Sequence, residues 1–212
     1  MSLFSRNRPA PKNAHPARKS PSPKVATPQV THRLTLDLSR ANALAAMLAS
    51  SRAARFIEIS DLLAGFYIYE WDRLAEYWPE ENGEEAEDFF RGLCKISPER
   101  WNYWIQLYDK KRRNGEHRRT WFDLTRKQKQ KSGETAPEPS ADLRAVFATA
   151  ERISPFHDRP DQGELPVLTC ECVLLCIAKY ISTDVRRKLN RTGLDIEKLE
   201  RAVIDPKRSP RG

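Results

Sequence analysis

The stretch SPERWNYWIQLY, residues 97–108, constrains the fold more than any other part of the chain. Ser97 is placed as an N-cap and Pro98 as the first helical residue, where a missing N–H is no loss. Ile96 is in position to staple onto Trp101, and Gly115 to stop the helix. Trp101, Trp104, Ile105 and Tyr108 recur at i, i+3, i+4 and i+7, which gathers them on one helix face. Rings that stack on bases need no such period, so this stripe reads as core.

The same period runs through most of the chain and predicts an all-α protein: a multi-helix bundle of seven or eight helices. A first helix starts near residue 37, with Ser39 as its cap. A second starts at Ser60 and carries Leu62, Leu63, Phe66, Tyr67, Trp71, Leu74 and Trp78 until Pro79 ends it. Gly65 and the FYIY that follows admit a break or a short strand, with helix preferred. A third, from Glu84 to Ile96, buries Phe89, Phe90 and Leu93, and a fifth covers 119–131. Ser140 caps a helix through Ile153; an apolar helix spans 167–181, and two short helices follow near 184–190 and 195–204.

Composition divides the chain further. Residues 1–32 form a basic, Pro-rich tail expected to be disordered, because it has too little apolar surface to offset its ordering entropy. Its prolines also spoil the amphipathic helix of a transit peptide. An aromatic-rich bundle occupies 33–130, a linker 131–140, a smaller helical subdomain 141–205 and a second basic tail 206–212. About 65 residues make a marginal core, so the smaller part is expected to dock on the larger. No internal repeat is visible. Val167 to Ile181 is apolar but too short to span a bilayer and contains Glu171 and Lys179, so no membrane partner is expected. Four cysteines without a secretory signal fit a cytoplasmic protein, or a nuclear one in a eukaryote.

The net charge of +8 lies in the tails. Arg6, Arg8, Lys12, Arg18, Lys19 and Lys24 precede residue 33, and Lys207, Arg208 and Arg211 end the chain. Between them 28 basic residues face all 29 acids. Those charges are segregated. Residues 70–99 hold ten acids against Arg73, Arg91 and Lys95. Residues 109–131 hold ten bases against three acids: Lys110, Lys111, Arg112, Arg113, Arg118, Arg119, Arg126, Lys127, Lys129 and Lys131. With Trp121 among them, these bases are the candidate contacts for nucleic-acid phosphates, with the basic tail in support. The alternative is a helical protein-interaction or adaptor module whose charge blocks steer a partner. A third account has the two blocks compensating each other.

Conventional catalysis finds no support. There is no P-loop, G-x-G-x-x-G, G-x-S-x-G or H-E-x-x-H. In CECVLLC, Cys172 and Cys176 lie one helical turn apart while Cys170 points elsewhere. A zinc site would need Cys94 and His157 to complete it, so buried free thiols and no metal or cofactor are expected. His157 beside Asp158 lacks the further ligands of a metal-dependent phosphohydrolase. The segment 184–204 can be drawn as a helix-turn-helix. Asp195 and Glu197 would then meet the phosphates, so the pair reads as a lid on the C-terminal core.

Overall fold

The computed structural model describes residues 33–93, 97–113, 136–154 and 166–204, with side chains of the 98–113 helix described as far as Leu107. Eight α-helices lie among the described residues: α1 (Leu36–Ser51), α2 (Ile59–Leu74), α3 (Gly83–Leu93), α4 (Pro98–Arg113), α5 (Ala141–Ile153), α6 (Cys170–Leu175), α7 (Asp184–Asn190) and α8 (Ile196–Ile204). A π-helical segment, Cys176–Tyr180, continues α6. The all-α expectation holds, with four two-residue strands added: β1 (Arg33–Leu34), β2 (Phe56–Ile57), β3 (Glu138–Pro139) and β4 (Val167–Leu168).

Those strands disclose an arrangement the sequence had hidden. β1 pairs in parallel with β4, and β2 with β3. The hydrogen bonds match one for one. Arg33 N donates to Pro166 O and Thr35 N to Leu168 O, at 2.8 and 2.9 Å; Glu138 N donates to Arg55 O and Ser140 N to Ile57 O, at 3.1 and 2.9 Å. Each half therefore contributes strand, helix, strand, helix, and each strand pairs with the other half. Corresponding core positions carry similar side chains: Leu38 with Leu143, Ala41 with Val146, Ala45 with Ala150, all fully buried.

Every one of these strands runs straight into a helix, and the residue at the joint caps it. Thr35, Ser140 and Thr169 accept from backbone N–H groups at the start of α1, α5 and α6. Ser140 was expected. The caps of the first two helices were not, since Ser39 lies inside α1 and Ser60 inside α2. Glu58 and Asp61 cap α2 reciprocally, and buried Asp61 also receives Arg52 at 2.5 Å. The second helix ends at Leu74 in a 3₁₀ turn, Ala75–Tyr77, four residues earlier than Trp78 suggested. In α3, Phe90 is buried while Phe89 and Leu93 are partly so. Residues 138–139, placed in the linker from composition, are strand β3.

One core runs through both halves, joining Leu38, Leu62, Phe66 and Phe90 to Leu143, Val173, Leu174 and Leu199. Gly65 lets α1 and α2 approach closely, because a Cβ there would lie 2.4 Å from the Ala41 carbonyl oxygen. The C-terminal pair docks on the turn after α2: Trp78 Nε1 donates to the Thr192 hydroxyl at 2.8 Å, and Asp195 N to Tyr77 O at 2.8 Å.

Candidate interaction surface

Helix α4 keeps its Ser97 cap and buries Trp101 and Trp104, with Ile105 partly buried, while Ile96, the Tyr108 side chain and Gly115 lie outside the described residues. Ser97 accepts from Arg100 N at 3.4 Å. Trp101 and Trp104 are 5% and 9% exposed, packed on Leu44, Met47, Leu48, Ala64, Ile68 and Tyr69. Neither ring is available to stack on a base. The helix continues to Arg113, so Lys110, Lys111, Arg112 and Arg113 occupy its last turn. Their side chains lie outside the described residues. So do Arg118, Arg119, Trp121, Arg126, Lys127, Lys129 and Lys131, the tail bases Arg6, Arg8, Lys12, Arg18, Lys19 and Lys24, the expected 119–131 helix, and Cys94, His157 and Asp158.

The acidic block is described except for residues 94–96. In α3, Glu84, Glu85 and Asp88 are exposed. Arg91 pairs with Asp88 and, at 3.9 Å, with Glu87. Glu87 also accepts from the Tyr67 hydroxyl at 2.6 Å, and burial together with that carboxylate raises the Tyr67 pKa. Ion pairs of this exposed kind contribute little stability, so α3 presents its negative charge outward.

Where the two halves meet, charge is concentrated and partly buried. Arg73 reaches Glu171 at 3.0 Å, Asp37 at 3.5 Å and Glu70 at 3.5 Å, and Arg40 stands 3.7 Å from Asp37. Three carboxylates thus share two guanidiniums. The Glu70 side chain is only 10% exposed. Burial, the largest cause, raises its pKa from an ordinary 4.5 to about 7; Asp37 and Glu171 push the same way, and Arg73 and Arg40 oppose them. Burial also works to lower the Arg73 pKa, but Glu171, Glu70 and Asp37 outweigh it. This cluster fastens α2 to α6.

Sequence reasoning passed over α7. Val185 is half-buried and Leu189 fully buried, which turns Arg186, Arg187, Asn190 and Arg191 to the opposite side. There they line a cavity of about 540 Å³ together with Ser182, Thr183 and Asp184. Asp184 pairs with Arg187. Among the described residues, Arg186 and Arg191 have no carboxylate within ion-pair distance. The signal is present in VRRKLNR, but the sequence reads there only as one helix of a pair that closes the C-terminal core. The reading of 184–204 as a lid holds, since Leu189, Leu194, Leu199 and Val203 are all buried.

The remaining chemistry is quiet. Cys170, Cys172 and Cys176 are buried free thiols, and burial pushes the Cys170 pKa well up. Among the described residues, no three His, Cys, Asp or Glu side chains gather as metal ligands do, and no helix is long and apolar enough to cross a membrane. The fold defines a helical protein of two interlocked strand–helix–strand–helix halves. Compared with protein-family models, curated proteins and solved structures, the chain matches none.

Proposed function

We propose that this chain is a helical protein-interaction module. The observation that carries the reading is the polarity of its folded surface: an acidic α3 face and an arginine-lined cavity on α7, borne by one frame whose two halves share a core. An acidic face repels phosphates, whereas separate negative and positive patches suit a protein partner with complementary charges and exclude wrong ones. Burial of Trp101 and Trp104 weighs the same way, since it withdraws the aromatic platform that single-stranded nucleic acid would use. The test is purification from the native host with and without nuclease. Discrete protein partners should persist after nuclease treatment; loss of every partner would overturn the reading.

A second reading has its own observation. Lys110 to Arg113 end a helix fixed to the core by Trp101 and Trp104, and the basic run continues to Lys131. With the basic tail, that block would neutralise phosphates with little sequence preference, and its affinity would fall steeply with salt. Nuclease-sensitive partners and a steep salt dependence, abolished by neutralising 110–131 and the tail, are its signature.

A further inference from the structure

We infer that the α7 cavity is a seat for an acidic peptide segment of the protein partner, held through its carboxylates; this rests on the interaction-module reading. Among the described residues the cavity offers three guanidiniums, two hydroxyls and one amide, and the one carboxylate lining it, Asp184, is already occupied by Arg187. Arg186 and Arg191 are left uncompensated among the described residues. A guanidinium fork matches a carboxylate with two parallel hydrogen bonds, so each arginine can take one acidic side chain.

Spacing and charge narrow the occupant. The backbone stays helical through Arg191, with φ −78° and ψ −14°. Arg186 and Arg191 are therefore about 7.5 Å apart along the axis, at 1.5 Å per residue. At that pitch they stand on opposite flanks of the cavity, with Arg187 and Asn190 between them. Five residues also turn a helix by about 140°, so the two side chains diverge and their guanidiniums stand further apart than that rise. An extended peptide advances about 3.3 Å per residue, so acidic residues a few positions apart can each take one of the two arginines. Because Arg186 and Arg191 stand on opposite flanks, two separate singly charged carboxylates can each occupy one guanidinium, whereas a single compact phosphate cannot reach both. Thr183 Oγ1 accepts from Arg186 N at 3.2 Å as the cap of α7 and Asn190 Nδ2 donates to Ala178 O at 3.2 Å, which leaves the Thr183 O–H and Asn190 Oδ1 for the peptide backbone.

The experiment is fluorescence anisotropy on the full chain with a labelled peptide of alternating glutamate and serine, at low ionic strength. The double variant Arg186→Gln/Arg191→Gln should weaken the peptide about tenfold. Arg144→Gln/Arg152→Gln removes the same charge from exposed positions of α5 and should leave binding unchanged. An unaltered melting temperature shows that each variant folds. Peptide binding that survives in the first variant, or falls equally in both, overturns the seat while leaving the interaction-module reading intact. If a labelled single-stranded oligonucleotide binds in place of the peptide and is lost in the Arg186/Arg191 variant, the inference is overturned and the cavity belongs to phosphates. Failure of both probes overturns it as well. The interaction-module reading itself falls only if nuclease strips every protein partner.

Discussion

Replacing Glu70 with glutamine should make the protein more stable at alkaline pH, although the change removes a carboxylate that stands 3.5 Å from an arginine. The reasoning starts from the cluster's composition: Asp37, Glu70 and Glu171 outnumber Arg40 and Arg73 by one. Glu70 is the most buried carboxylate of the three, and its pKa rises from 4.5 to about 7. A group whose folded pKa lies above its unfolded value contributes stability that is fully present below the unfolded pKa, here 4.5. That contribution is lost as pH rises through the folded value near 7. At 1.36 kcal/mol per pH unit the loss amounts to about 3 kcal/mol. Glutamine mimics the protonated acid and does not titrate. The two proteins should therefore melt together at about pH 4 and diverge by about 3 kcal/mol near pH 8, or about 6–12 °C in Tm for a chain of this size. Circular dichroism melts across that range check it, and the difference between the two curves cancels the titrations of groups remote from the cluster. A glutamine variant less stable than the parent near pH 8 would refute the argument, because the Glu70–Arg73 attraction would then exceed the cost of burying the charge.

Three further outcomes test the fold around this cluster. Gly65→Ala drives a Cβ against the Ala41 carbonyl oxygen and should cost at least about 2 kcal/mol by urea denaturation; an unchanged midpoint would mean that α1 and α2 stand further apart. Trp78→Phe removes the indole N–H that reaches Thr192 and should cost about 1 kcal/mol, read as a lower urea midpoint with the transition still cooperative. Cys170, Cys172 and Cys176 are buried, so a Cys94→Ser variant should show no thiol reactive toward a disulfide reagent until denatured; fast native reaction would contradict the packing of α6.

What the sequence disclosed and what it withheld follow from range. Local signals were legible: Ser97 with Pro98, Ser140 as a cap, and the period that buries Trp101 and Trp104 all act within one or two turns. The caps at Thr35 and Glu58 were missed because each sits between a two-residue strand and its helix, and such a strand has no period to read. Its existence depends on a partner more than eighty residues away in the chain. The matching arrangement of the halves was hidden for a related reason: they share cap positions and burial at Leu38/Leu143 and Ala45/Ala150, but little of their exposed sequence. In the charged sites, Glu70 and Arg73 are helix neighbours and could be paired by spacing. Glu171, which completes the cluster, comes from the other half. The α7 cavity was visible only as three arginines until Val185 and Leu189 fixed which side of the helix faces out.

The interlocked pairing also bears on how the basic block can be used. The chain enters residues 114–135 from the last turn of α4, a helix fixed by Trp101 and Trp104, and leaves them close to β3, which is bonded to β2 beside the start of α2. Both anchors belong to well-packed elements: Ile57 and Ser140 are buried at one, and Trp101 is stacked 5.4 Å from Tyr67 at the other. A block tethered at two fixed points loses less freedom on binding than a free tail of equal charge, and that loss is a main cost of association. Six of the ten bases lie between these two anchors and four in the last turn of α4 itself. If the block and the α7 cavity serve the same partner, each lends the other effective concentration, and neutralising both should weaken binding by more than either change alone.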